Sequence, residues 1–378
     1  MTPITQSQKT PGGALWLALV SLLTLVGIGA WVYQSQNGMG VTSLSNLETW
    51  GLYIAGFIFF MGLSAGSLVL AALPVIFNLP RLRPYAKITA FVGLASVIVG
   101  GLFVMIDIGQ PMRLWHLVSF GRIDSPLLWD LLLTIAYLVV STVYLLRLTQ
   151  AERHGTAPAK WLAYLALAAG LADGLTAFVF ATQMAHEFWF SAIQPMTFEV
   201  AAIASAGGVL LLLLAVLQRT GTLKLALTDL KPLAILTASL LGLLLLLLLS
   251  EVVTLAFSQS ESNLTLVNAM RGAPMFWVEV VTFVAAIALL LAPQTQARTG
   301  GLVLASVLTI VGLVAKRLLF VSLGFVEPNI TYAGVDIGSP VYSPSLAEWG
   351  VTLGLIALFA LLVTVGFRYL PLKSAARS

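Results

Sequence analysis

Seven ionisable residues interrupt long apolar stretches of this chain, and an eighth, Asp107, closes the third stretch. The seven are Asp130, Asp173, Glu199, Glu251, Glu279, Lys316 and Arg317. A charged side chain near the centre of a bilayer costs about 2.5–3.5 kcal/mol on insertion scales. These groups must therefore be paired with one another, be protonated, or line a water-filled cavity.

Two chemical interpretations of these residues stay open. The first is an ion-pair network that joins helices late in the chain. The candidate pairs are Glu251 or Glu279 with Lys316 or Arg317. The second is a polar pocket near one membrane surface, where carboxyls pass protons to or from a bound redox ligand. Asp107 and Asp173 have no cation in neighbouring stretches, so for these two residues we favour the pocket.

The three histidines are poorly placed to hold a haem. A bis-histidine haem needs imidazoles that face each other within the membrane. His154 falls in a connection on one side, whereas His116 and His186 fall in or near connections on the other. For His116 and His186, a proton-handling or hydrogen-bonding role and a plain interfacial position stay equally open. The chain has no cysteine, which excludes disulfides and thiolate-held iron–sulfur clusters within it.

The elements that must position these residues are ten apolar stretches. Of the 378 residues, 59% are hydrophobic and 9% are charged. Each stretch reaches or approaches the roughly 20 apolar residues that cross a bilayer core. The stretches are 14–33, 50–77, 86–106, 126–147, 160–182, 195–217, 231–257, 274–292, 300–323 and 346–369. The sequence predicts an all-α integral membrane protein with ten transmembrane helices arranged as helix bundles.

The distribution of cations predicts how these helices are oriented. Most of the 19 Lys and Arg residues fall in alternate connections, which the positive-inside rule assigns to the cytoplasm together with both termini. We therefore expect a cytoplasmic segment (1–13), a transmembrane domain (14–369) and a cytoplasmic tail (370–378). The basic pI of 9.4 follows from these loops and does not indicate nucleic acid. We call the opposite side the outer side; its loops, where a partner would dock, are 107–125, 183–194, 258–273 and 324–345.

Several motifs carry a resemblance to a known family. Asp107-Ile-Gly-Gln-Pro-Met-Arg-Leu-Trp-His116, followed by Ser125-Pro-Leu-Leu-Trp129, resembles the signature of the NrfD/PsrC family. Gln110 replaces the arginine that this family usually carries before the proline. The segment from Trp50 to Gly66 is similar to the family's opening helix. Met275-Phe-Trp-Val-Glu279, Arg317 and Tyr342-Ser-Pro-Ser-Leu-Ala-Glu348 are similar to its ten-span branch, which includes the membrane subunit of a periplasmic nickel–iron hydrogenase.

The resemblance implies a membrane subunit that exchanges electrons and protons with the quinone pool, with quinol oxidation favoured. It implies menaquinone or ubiquinone as cofactor, without haem or iron–sulfur cluster in this chain. The implied partners are a four-cluster ferredoxin-like iron–sulfur subunit on the periplasmic face, a molybdopterin catalytic subunit and membrane lipid. The implied location is the cytoplasmic membrane of a bacterium or archaeon.

Residue chemistry and resemblance together nominate a set of site residues. The proton-handling (catalytic) candidates are Asp107, His116 and Asp173. The quinone-binding candidates are Arg113, Trp115, Trp129, His186, Glu251 and Arg317. Aligned on Gly62 and Gly66, the chain has Ile54 and Phe57 where the polysulfide reductase branch carries polar side chains, so the quinone ligands of that branch cannot be copied.

Two rival functions remain compatible with ten spans. A secondary transporter would also place carboxylates in the membrane, but it would usually show a pair of interrupted helices and an inverted repeat. Neither such a pair nor a strong internal repeat is visible in the sequence. A purely structural membrane anchor is the other rival. The sequence does not identify the terminal substrate of the complex or the type of quinone.

Overall fold

The computed structural model describes residues 11–80, 82–223, 225–258, 260–326 and 342–372. Within them the regular structure is helical. The helices are α1 Pro11–Asn37, α2 Leu52–Ile76, α3 Ala86–Asp107, α4 Trp115–Phe120, α5 Pro126–Arg153, α6 Lys160–Asp173, α7 Ala177–Ala181, α8 Gln194–Arg219, α9 Lys231–Ser258, α10 Glu261–Gly272, α11 Pro274–Leu291, α12 Pro293–Gln296, α13 Thr299–Leu323 and α14 Leu346–Tyr369. Ten spans in the described chain are long and apolar enough to cross a membrane, so the predicted fold class is confirmed.

The spanning helices begin where the sequence supplies suitable first-turn residues. Pro126 and Pro274 open α5 and α11, where a missing backbone N–H removes no helical hydrogen bond. The helix α14 begins with a capping box, in which Ser345 and Glu348 each bond the other's backbone N–H. Helix starts at the outer side are thus defined locally by sequence.

The fifth span differs from the continuous helix predicted over 160–182. The helix α6 ends at Asp173, a 3₁₀ turn occupies Gly174–Thr176, and α7 completes the crossing. A Cβ at Gly174 would lie 1.5 Å from Oε1 of Glu199, so a larger residue would displace that carboxyl. Irregular backbone at membrane depth is tolerated where protein buries it, and here α8 packs against the turn.

Eight of the spans form two four-helix bundles with the same chain order. The first bundle contains α2, α3, α5 and α6; the second contains α8, α9, α11 and α13, and α2 packs on α8 between them. The third helix of each bundle begins with Pro-x-x-Trp and then an acidic residue one or two positions later. In both, the Trp Nε1 donates to the carbonyl six residues earlier: Trp129 to Ile123 at 2.7 Å and Trp277 to Arg271 at 3.0 Å. The structure therefore contains an internal repeat that was not visible in the sequence.

The remaining two spans, α1 and α14, form a peripheral pair beside the first bundle. The helix α14 packs on α3 and α2, and α1 packs along α14. Their closest approach is between Gly27 and Gly354, where a Cβ at Gly27 would lie 2.4 Å from the Gly354 Cα. Small residues permit this contact between membrane helices. The pair brings the outer end of α1 close to the end of α3.

Candidate functional site

The segment that follows α3 forms one wall of a groove on the outer side. Asp107 is the last residue of α3, and its Oδ1 is buried without a hydrogen-bond partner. Gly109 adopts φ +70°, a left-handed conformation that glycine accepts without strain. This turn leads the chain along a groove of about 400 Å³. The groove is lined by Gly38, Met39, Ile108, Gly109, Gln110 and Arg113.

A buried carboxyl holds the loops around this groove in place. Glu348 is 0% exposed and accepts hydrogen bonds from the backbone N–H groups of Ser43 at 2.9 Å and Ser345 at 2.8 Å. The Tyr342 hydroxyl also donates to Glu348, and it accepts from the Leu52 N–H at 2.8 Å. Burial, with the bond to Glu348, raises the pKa of the Tyr342 phenol above its ordinary value. These bonds tie α14 to the start of α2.

Further polar groups stand close to Asp107. Tyr53 on α2 is 0% exposed, and both Asp107 and Glu348 interact with it electrostatically. Asp107, Tyr53 and Glu348 therefore form a group of interacting proton-binding side chains at this end of the protein. Glu48, in the connection between α1 and α2, is also buried, and burial raises the pKa of its carboxyl.

Where the two bundles meet, three carboxyls from three helices form a second cluster. We call Asp130, Asp173 and Glu199 the three-carboxyl cluster; Asp173 interacts electrostatically with the other two. Ser64 donates to Asp173 Oδ2 at 2.7 Å, and Thr176 donates to Asp130. No ion pair within 4 Å reaches these carboxyls among the described residues. Buried carboxyls without a cation nearby repel one another when ionised.

Ser64 and Ser67 form a matched pair on α2 for testing this cluster. Both are buried, but Ser64 donates to Asp173 whereas Ser67 Oγ has no partner. We expect Ser64→Ala to destabilise the protein by about 1–3 kcal/mol, because Asp173 loses a donor. Ser67→Ala breaks no bond and is expected to be neutral or stabilising. Thermal unfolding in detergent measures both; equal effects would contradict the assigned role of Ser64.

The second bundle contains one buried ion pair among its described residues. Lys316 Nζ donates to Glu279 Oε1 at 3.1 Å, so one ion pair that the sequence offered does form. Arg317 lies over the Phe198 ring, with its Cζ 4.3 Å from the centroid. Glu251 accepts from Gln194 Nε2 at 3.0 Å. These groups line a cavity of about 20 Å³, which has room for one water molecule and none for a quinone ring.

The aromatic and histidine candidates occupy different surroundings. Trp115 and His116 are both exposed on the outer segment, in α4, and their ring centroids are 4.3 Å apart. Trp129 is half exposed and donates to Ile123, as described above. His186 Nδ1 lies 2.6 Å from the Gly324 carbonyl, and its ring is 4.4 Å from that of Trp189.

The predicted site residues thus separate into four places. Arg113 lines the groove and Asp107 precedes it in the chain, and Trp115, His116 and Trp129 belong to the same outer segment and the helix start that follows it. Asp173 belongs to the three-carboxyl cluster, and Glu251 and Arg317 line the small cavity of the second bundle. His186 lies at the edge of an aromatic cluster that fills the space between the bundles, with Trp50 and Trp189 stacked at 5.2 Å. In the described chain, no three His, Cys, Asp or Glu side chains are arranged so that they could hold a metal ion, and this includes the three-carboxyl cluster.

Sequence reasoning missed several residues that complete these sites. Ser64, Thr176, Gln34 and Met39 were not among the predicted site residues. Their roles depend on contacts between distant segments, such as that of Ser64 with Asp173. Asp130 carried a usable signal, because an acidic residue also follows the Pro-x-x-Trp motif at the start of α11.

Comparison with known proteins assigns the class that this architecture represents. The chain belongs to the family described as "Polysulphide reductase, NrfD", which matches residues 40–329. A relative from Halobacterium salinarum, named as a putative dimethyl sulfoxide reductase membrane subunit, is 32% identical over 99% of this chain and 94% of its own length. A selenate reductase subunit of Mesobacillus selenatarsenatis is 27% identical over 94% of each chain. The Hdr-like menaquinol oxidoreductase integral membrane subunit of Archaeoglobus fulgidus is 28% identical over 97% of this chain and 96% of its own.

Proposed function

We propose that this chain is the membrane subunit of a respiratory oxidoreductase complex, in which it oxidises a quinol and passes the electrons to an iron–sulfur subunit. Support comes from the relatives, whose names describe subunits of reductases and of a menaquinol oxidoreductase. The proposed location is the cytoplasmic membrane of a bacterium or archaeon, with the groove facing outward.

The observation that carries the proposal is the unpartnered carboxyl of Asp107, the residue that directly precedes the groove-lining Ile108. A buried polar atom without a protein partner calls for an explanation such as a ligand, and Asp107 Oδ1 is such an atom. The groove volume of about 400 Å³ falls within the roughly 300–1,000 Å³ of small-molecule sites. The cavity of the second bundle is far smaller. The residues present therefore fit a quinone head at the groove, and Glu251 and Arg317 are left out of its direct contacts.

The chain's own residues then have distinct roles in the proposed reaction. A bound quinol supplies two electrons and two protons. Asp107 accepts the two protons one after the other at its free carboxylate oxygen, in the manner of a general base, and passes the first on before it takes the second. Arg113, on the groove wall, directs its guanidinium toward the oxygen of the ring. Tyr53 and Glu348 hold the surrounding polar network, through which the proton leaves toward the outer side.

The electron acceptor in this proposal is a partner on the outer surface. We place a four-cluster ferredoxin-like iron–sulfur subunit there, with a molybdopterin catalytic subunit beyond it. The described outer segment between α3 and α5 carries large exposed apolar side chains: Met112 is 85%, Phe120 75% and Ile123 79% exposed. Exposed apolar side chains of this size support a protein or membrane interface.

Reconstitution of the complex tests the proposal against a purely structural anchor. The peripheral subunits are assembled in liposomes with and without this chain, and turnover is driven either by a short-chain quinol or by a water-soluble artificial donor. We expect quinol-driven turnover only when the chain is present, whereas the artificial donor works in both preparations. Quinol-driven turnover of equal rate without the chain would identify it as an anchor.

A further inference from the structure

Two residues that directly follow α1, Gly38 and Met39, supply the second wall of the groove. Gly38 and Met39 face Ile108, Gly109, Gln110 and Arg113 across it. Met39 packs directly on the turn after α3, since a Cβ at Gly109 would lie 2.9 Å from the Met39 Cγ. The Met39 side chain therefore lies where a ligand in the groove would contact the segment that follows α1.

A chain of hydrogen bonds from the bundle core sets the position of Met39. The Tyr53 hydroxyl donates to Gln34 Oε1 at 2.6 Å, and Gln34 Nε2 donates to the Met39 Sδ at 3.2 Å. Tyr53 and Gln34 are 0% and 2% exposed. A glutamine buried near the end of an otherwise lipid-exposed helix satisfies both ends of its amide in this way. The thioether is thus held against the groove by α2.

The peripheral pair is fixed to the bundle by Glu348 as well. Because Glu348 on α14 accepts from Ser43 and Tyr342, it fastens the connection that follows Met39. The family match covers residues 40–329, so Gln34, Met39, Tyr342 and Glu348 all lie outside it. The wall formed by Gly38 and Met39 therefore lies outside the residues that the family match covers.

We propose that the segment directly after α1 is part of the quinone site, with Met39 in contact with the quinone ring, so that the peripheral helix pair, which carries this segment, determines which quinones this protein accepts. The inference rests on the proposed function and adds a wall to its site. A thioether is polarizable and packs favourably on the face or edge of a planar ring. The groove adjoins the end of α1, whose side chains are mostly exposed.

Cysteine labelling in the assembled complex tests this inference. The chain contains no cysteine, so Met39→Cys introduces one thiol that can be followed on this subunit's own band. We expect a short-chain naphthoquinone, at about ten times its dissociation constant, to slow maleimide labelling of that thiol roughly tenfold, since only unliganded protein reacts. Gln36→Cys, exposed on the last turn of α1 and outside the groove, is the matched control and is expected to label at the same rate with and without quinone.

A second measurement covers the case in which Met39→Cys assembles poorly. Met39→Leu keeps an apolar side chain of similar volume but removes the sulfur and its bond to Gln34. We expect KM for a naphthoquinol to rise several-fold while kcat stays near that of the unchanged protein. If quinone does not change the labelling rate at position 39 in a complex whose quinol turnover is intact, Met39 does not contact the quinone. That result would overturn this inference and leave the proposed function unaffected. Absence of both quinol turnover and quinone binding in the unchanged complex would overturn the proposed function itself.

Discussion

Replacing Asp107 with asparagine is expected to reduce quinol-driven turnover of the assembled complex at least about 100-fold, the lower end of what a general base contributes. Asparagine keeps the size of the side chain and its position at the end of α3 but cannot accept a proton. Turnover with a water-soluble artificial donor is expected to be unchanged, because that donor bypasses this subunit. The measurement is the ratio of the two rates in the same preparation.

Asp124→Asn is the matched control for this experiment. Asp124 lies on the same outer segment, but it is exposed and paired with Arg122 at 2.7 Å. The guanidinium of Arg122 holds the pKa of the Asp124 carboxyl below its ordinary value, so Asp124 is ionised at neutral pH. Asp124 does not line the groove. Equal quinol turnover in both variants would remove Asp107 from the mechanism.

The second large effect is expected at the buried ion pair of the second bundle. Lys316→Met leaves Glu279, which is 0% exposed, without its cation. Removing one partner of a buried pair typically costs about 3–5 kcal/mol. We therefore expect a clear fall in the unfolding midpoint of the detergent-solubilised protein. The Lys316→Met and Glu279→Leu double variant is expected to recover most of that stability, because neither member of the pair is left buried alone.

Lys160→Met provides the comparison for a lysine that is not buried. Lys160 lies exposed at the start of α6, and surface substitutions usually change stability by no more than about 0.5 kcal/mol. If the Lys316→Met protein is as stable as the Lys160→Met protein, Glu279 carries a proton in the folded protein and the pair is not ionic.

These expectations express a difference between the two bundles. They repeat the same helix order and the same Pro-x-x-Trp start. Asp107, Asp130 and Asp173 of the first bundle have no cation within ion-pair distance among the described residues, whereas Glu279 of the second pairs with Lys316. The ion pair of Lys87 with Glu152 lies at the opposite end of the first bundle. Uncompensated carboxyls bind and release protons more readily than paired ones, because pairing favours the charged form alone. The outer half of the first bundle is therefore suited to proton chemistry, whereas the Lys316–Glu279 pair helps to hold the second bundle together.

The sequence determined the class of the protein and the ends of its helices. Ten apolar stretches are long enough to span a bilayer, and prolines and a capping box mark several starts, because hydropathy and first-turn hydrogen bonding are local properties. The Asp107 motif also identified the family, and the structure places Asp107 and Arg113 in one region. The cytoplasmic position of both termini remains a prediction from charge.

Only the tertiary structure decided which buried groups meet. Asp107 and Asp173 looked alike in sequence, but one lies beside a groove and the other joins Asp130 and Glu199. The contact of Met39 with Gly109 and the bond of Gln34 to Tyr53 connect helices that could pair in many ways. In lipid, the hydrophobic effect does not favour one helix neighbour over another, because lipid tails are as apolar as the side chains. Close packing at small residues and interhelical hydrogen bonds therefore select the arrangement. Those contacts join residues far apart in the chain, and no local pattern encodes them.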